Sequence, residues 1–206
     1  MAETTNFTPA SSARTRWVQR PLLATVTGSD VGLLILRLGI GIIFLGHGLQ
    51  KLGWFKGGGY PTGISSQETF LTFFGYSSTA FLAWVVTLTE VGAGLSLVLG
   101  AVTPLGAAGA TGIMFQAVAG YQWPGGLFGD NAGRGGFELS LVFFVASIAL
   151  AFTGAGSLSV DGALRWKLSG MRWGVASLVL AVVVGTIVLT AFGVGFGGTP
   201  APPPGT

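Results

Sequence analysis

Six side chains that can carry charge or hydrogen-bond stand within otherwise apolar stretches of this sequence: Arg37, His47, Lys51, Glu90, Gln116 and Glu138. A charged group in a run long enough to cross a bilayer is costly, so such residues pair, line a polar cavity or conduct protons. Three kinds of chemistry fit these residue types. Arg37 with Glu90 and Lys51 with Glu138 would form two ion pairs that fix helix register. Alternatively, the same groups would line a polar pocket for a headgroup such as that of a quinone. Glu90 and Glu138 would also serve a proton path, since intramembrane carboxylates are typical of such paths. His47 reads as a hydrogen-bonding residue near the membrane surface, because only glutamates could complete a metal shell around it.

The elements that must position these groups follow from composition. Of 206 residues, 50% are hydrophobic and 8% charged, against about 25% charged in a soluble domain. Mean hydropathy is +0.71. The chain therefore reads as an all-α, multi-pass membrane protein whose first partner is the lipid bilayer. No basic stripe for nucleic acid is present. The absence of cysteine excludes disulfides and thiolate metal sites, and a single histidine excludes bis-histidine haem ligation by this chain alone.

Five spans are expected, at 31–48, 79–99, 105–121, 137–152 and 173–192. Residues 1–29 read as a disordered cytoplasmic tail, and a cleaved signal peptide fits poorly because no A-x-A-like site follows the first span. Trp54, Tyr60 and Tyr76 are types that settle at the headgroup level, with a short surface helix near 67–74. The glycine-rich segment 121–136 lacks a G-x-x-x-x-G-K-[ST] pattern and does not read as a phosphate cradle. A basic loop precedes the fifth span, and 197–206 is a Pro-rich tail. Arg14, Arg16, Arg20, Arg165, Lys167 and Arg172 outnumber Lys51, Lys56 and Arg134 when the N-terminus is cytoplasmic, which places the C-terminus outside.

At 100° per residue, Arg37, Gly41, Phe44, Gly48 and Lys51 share one stripe within about 40°, with His47 about 80° off it. Glu90 lines up with Ala83 and Gly94, and Gln116 with Gly109 and Gly120. Small residues mark where membrane helices touch, so these faces point inward. Arg37 sits about 9 Å into its span and Glu90 near the midplane of its own. His47, Gln50, Lys51, Gln116 and Glu138 fall at comparable heights at the opposite end.

Several ordered motifs carry a family resemblance. They are R-L-x-x-G-x-x-F-x-x-x-G-x-x-K-L from Arg37 to Leu52, E-V-G-A-G-L-S-L-V-L-G from Glu90 to Gly100, G-F-E-L at 136–139 and G-A-G-S-L-S-V-D at 154–161. Over about 31–161 the chain resembles the DoxX family of bacterial membrane proteins. The resemblance implies a four-helix membrane domain over 30–161; the fifth span departs from that unit and, with no ionisable residue inside it, is expected to pack on its outside. It also implies a bacterial cell-membrane location and a subunit role in a quinone-linked or oxidative-stress oxidoreductase complex. The wider family includes a small subunit associated with archaeal thiosulfate:quinone oxidoreductase, and a mycobacterial member joined to a superoxide dismutase and a sulfurtransferase. Quinone would be the ligand and a soluble or membrane redox protein the partner, with homo-oligomers as a further expectation. The alternatives are a non-catalytic anchor or assembly scaffold and, behind it, a small-molecule or proton carrier.

Overall fold

The computed structural model describes residues 26–55, 62–131 and 135–193. The tail arginines Arg14, Arg16 and Arg20, the loop residues Lys56, Tyr60 and Arg134 and the Pro-rich tail lie outside the described residues. Among those described, regular structure is helical throughout. The helices are α1 (Gly28–Lys51), α2 (Ile64–Phe73), α3 (Thr79–Leu99), α4 (Thr103–Ala117), α5 (Glu138–Thr153), the short α6 (Val160–Ala163) and α7 (Met171–Ala191). Three of them, α1, α3 and α7, are long and apolar enough to cross a membrane.

The first helix outruns its apolar stretch at both ends. It starts at Gly28 because Thr27 and Asp30 form a capping box, each side chain accepting from the other's backbone N–H. The second carboxylate oxygen of Asp30 accepts from Ser157 N–H at 2.7 Å, tying the start of α1 to the loop after α5. Part of the expected tail is therefore a helix start.

Helices α1 and α3 run antiparallel and touch through glycine. A Cβ on Gly94 would lie 2.7 Å from Leu45 Cα, one on Gly41 2.9 Å from Val98 N, and one on Gly48 2.9 Å from Val91 N. These contacts set the register: Gly48 faces Glu90 and Val91, while Gly41 faces Gly94 to Val98. Arg37, one turn before Gly41, therefore meets the end of α3 and not its middle.

A tight turn reverses the chain from α3 into α4. Gly100 adopts φ +63° there, and Val102 adopts φ +49°, an unusual conformation for a β-branched residue. Helix α4 lies between α3, α5 and α7. It is poor in bulk, with Gly106, Ala107, Ala108 and Ala110 buried, so its neighbours approach closely.

The last helix runs parallel to α4, as Ser177 donating to Pro104 O at 2.8 Å and Gln116 Nε2 donating to Gly185 O at 2.5 Å require. It buries Gly174, Ser177, Ala181, Gly185 and Leu189. That stripe, spaced by three and four residues, packs one side and leaves Val175, Val179, Val183 and Ile187 exposed.

Candidate functional site

The polar residues segregate to the two ends of the bundle, and the pairing between them differs from the expected one. Lys51 Nζ lies 2.5 Å from Glu90 Oε2, so Lys51 answers Glu90 and not Glu138. The register explains this: Lys51 is one turn beyond Gly48, which packs on Glu90 itself. Glu138 opens α5 on its exposed face, where a carboxylate favours the positive end of the helix dipole.

Arg37, 1% exposed, is the partner of the backbone. Its guanidinium donates to Leu97 O at 3.1 Å, to Val98 O at 2.9 Å and to Leu158 O. A cation capping the last carbonyls of α3 satisfies groups that helix geometry leaves unpaired. Any Cβ at Gly100 would collide with that guanidinium, 2.6 Å from one of its nitrogens. The neighbouring carboxylate whose charge acts on Arg37 is Asp161. Asp161 accepts from Val102 N–H (2.7 Å), Thr103 N–H (3.0 Å) and Thr103 Oγ1 (2.8 Å), which caps the start of α4. One basic and one acidic group thus cap the two helix ends of a single reverse turn. The expected pair of Arg37 with Glu90 does not form, since Leu97 lies about 10 Å further along α3 than Glu90.

At the Lys51 end the helices enclose a cavity of about 500 Å³, within the range of small-molecule sites. Four of the six singled-out residues line it: His47, Lys51, Glu90 and Gln116. Arg37 and Glu138 do not. His47 reaches the cavity because it lies to the side of the α1 stripe that packs on α3. It is close enough to act electrostatically on the Glu90 carboxylate.

Further groups shape this space. Helix α2 covers it with Ser66, Gln67, Phe70 and Leu71. The ring of Tyr121 packs against Phe70 (centroids 5.2 Å) and Phe74 (4.9 Å), giving an aromatic cover. Beyond Ala117, α4 widens into a π-turn, Val118–Gln122, a feature frequent at functional sites. This turn delivers Tyr121 and Gln122 to the cavity. Gln122 Oε1 is buried there and has no partner among the described residues.

Tyr76, of a type that settles at the headgroup level, is buried over Gly120. Its hydroxyl donates to Gln116 Oε1 at 3.2 Å, and Gln116 passes the connection to Gly185 on α7. Gln116 is thus partly committed to holding α4 against its neighbours. Tyr121 and Gln122 escaped the sequence reading, where they close a span and open a loop. The departure from 3.6-residue periodicity that turns them inward leaves no mark in residue type.

A multi-helix membrane protein with an interior polar cavity is the class that this fold and site define. Residues 32–123 match the family model for DoxX, which supports a DoxX-type protein. The matched segment runs from α1 through the π-turn and includes all four cavity residues named above. It stops before α5, so the motifs at 136–139 and 154–161 fall outside it. No curated protein and no solved structure matches the chain.

The Lys51–Glu90 contact yields a direct expectation. In a double-mutant cycle with Lys51→Met and Glu90→Gln, read by unfolding in detergent, the coupling is about 1–3 kcal/mol. The equivalent Lys51–Glu138 cycle gives a value near zero. A reversal of the two results would restore the other pairing.

Proposed function

We propose that this protein is the integral membrane subunit of a quinone-linked oxidoreductase complex, and that the α1–α2–α3–α4 cavity receives the quinone headgroup. The observation that carries this reading is the Lys51–Glu90 pair opening on a cavity under an aromatic cover. A quinone ring offers two carbonyl acceptors and a π-face. Lys51 keeps N–H donors for a ring carbonyl beyond the one given to Glu90, and the unpartnered Gln122 Oε1 would accept from a hydroxyl of the reduced ring. Tyr121 and Phe70 offer ring faces and edges for stacking. Bound quinone would supply two-electron chemistry coupled to two protons. The chain's own contribution is to orient the ring, exclude water with α2 and hold a proton-exchanging carboxyl, Glu90, beside it.

A bacterial cell-membrane protein crossing five times, with its N-terminus cytoplasmic and C-terminus outside, completes the proposal. The parallel course of α4 and α7 supports it, because spans three and five run the same way. So does the π-turn, which extends α4 towards spanning length. Since the chain has no cysteine and one histidine, electrons would come from a partner redox protein docked at the membrane, with self-association as a further mode of assembly.

Protein purified in native lipid nanodiscs is expected to carry menaquinone or ubiquinone. Glu90→Gln should lower the occupancy several-fold, whereas Glu138→Gln, outside the cavity, should leave it unchanged. Quinone-free preparations that also fail to take up added quinone would overturn the reading. In that event the second reading, a non-catalytic scaffold, gains. It is favoured by the finding that Arg37, Lys51 and Asp161 all have partners within the chain.

A further inference from the structure

A second space of about 500 Å³ lies on the other side of α4. It is a groove with α3 and α7 as its walls and the small residues Gly106, Ala108, Gly109 and Gly112 as its floor. Its lining is nearly all apolar. Of its few polar side chains, Ser96 donates to Ala101 O at 2.6 Å and Gln116 holds Tyr76 and Gly185. Beyond the single hydroxyl of Thr89, the groove offers a headgroup little, and it presents a hydrocarbon chain with an apolar surface.

The groove adjoins the polar cavity. Leu82, Val86, Ile113, Gln116 and Val188 line both spaces. Gln116 apart, the side chains of this shared wall are apolar, so a molecule with a polar ring in the cavity would meet hydrocarbon there. From Leu82 to Ser96, α3 rises about 21 Å along the groove, room for several isoprene units.

Resting on the headgroup reading above, we infer that the ligand is a polyprenylated quinone. Its chain leaves the cavity past Leu82, Val86 and Val188 and lies in the α3–α4–α7 groove. The ring is fixed by polar contacts and the tail by shape alone, because lipid is as apolar as the groove and burial of the chain supplies little driving force. The tail route therefore selects by steric access, and filling it should act on prenylated ligands only.

Gly92 allows this to be tested without disturbing the bundle. It lines the groove but not the cavity, and a Cβ placed on it meets no atom within 4 Å. Gly39 on α1 is equally open and lines neither space, so Gly39→Phe is the control. Binding of two quinones with the same ring, one tail-less and one prenylated, is measured in nanodiscs of defined phospholipid and expressed per mole fraction in the membrane. Gly92→Phe is expected to weaken the prenylated quinone by about tenfold and to change the tail-less one by less than about twofold. Gly39→Phe should change neither. If Gly92→Phe spares the prenylated quinone, or weakens both alike, the tail does not use this groove and the inference falls while the headgroup site stands. If the unaltered protein binds neither quinone, the headgroup reading falls and takes this one with it.

Discussion

Replacing Arg37 with leucine is expected to destabilise the protein by about 3–5 kcal/mol, the range for removing one partner from a buried charged network. The loss is concentrated at one place. Leu97 O and Val98 O, at the end of α3, would face an apolar side chain, and Leu158 O in the loop before α6 would lose its donor as well. Each buried carbonyl left unsatisfied costs about 1–3 kcal/mol. Water cannot easily replace the guanidinium, because Gly100 and Ser159 close over it. Arg37→Lys keeps the charge but not the planar fork that spans three acceptors, so it should fall between wild type and leucine. Unfolding in detergent measures the series, and an Arg37→Leu protein as stable as wild type would refute the capping role.

The same variant separates the two accounts of the buried charges. If Arg37 and Glu90 were an ion pair, replacing both with leucine would be gentler than replacing one. Because Arg37 grips the end of α3 while Glu90 holds Lys51 further back along it, the two losses should add.

Much of the architecture was legible in residue types. The apolar runs located α1, α3 and α7 to within a few residues, and the small residues beside Glu90 and Gln116 marked faces that do turn inward. The alignment of Gly41, Gly48 and Gly94 identified the α1–α3 contact surface. What it could not supply was the offset between the two helices. Periodicity reports the angle around each axis but not the displacement along it, and a slide of about 10 Å exchanges one set of charge partners for another. Levelling the spans at their apolar ends put Arg37 about 9 Å into its span and Glu90 near the midplane, a gap short enough for an arginine side chain to bridge. In fact α1 begins lower, at a capping box of polar residues that hydropathy assigns to the tail. The cavity was half legible for a related reason. His47, Lys51, Glu90 and Gln116 stand out as polar residues in apolar runs. Tyr76, Tyr121 and Gln122 lie at span ends, where polar and aromatic residues are ordinary, and only the π-turn and the fold of α2 bring them inside.

Of the three glycines that set that offset, Gly94 makes the tightest contact, and its replacement carries the second large effect. A methyl group at Gly94 would stand 2.5 Å from Leu45 N and 2.7 Å from its Cα. Both are backbone atoms of a helix, so relief requires α1 to move as a body. Gly94→Ala should cost about 1–3 kcal/mol, as overpacking does, and Gly94→Leu about 3 kcal/mol or more. Gly92 supplies the internal comparison two residues away on the same helix. Its Cβ position is open, so Gly92→Ala should be neutral or stabilising by up to about 1 kcal/mol through helix propensity. Gly94→Ala as stable as Gly92→Ala would show that the α1–α3 contact is looser than this packing requires. Displacement of α1 also has a functional reading distinct from stability. The helix carries Arg37 at one end and His47 and Lys51 at the other, so moving it off Gly94 separates Lys51 from Glu90 and opens the cavity wall. If the proposed quinone site is right, quinone occupancy in nanodiscs should still fall at temperatures where Gly94→Ala remains folded. A cavity that depended only on its own lining residues would bind unchanged.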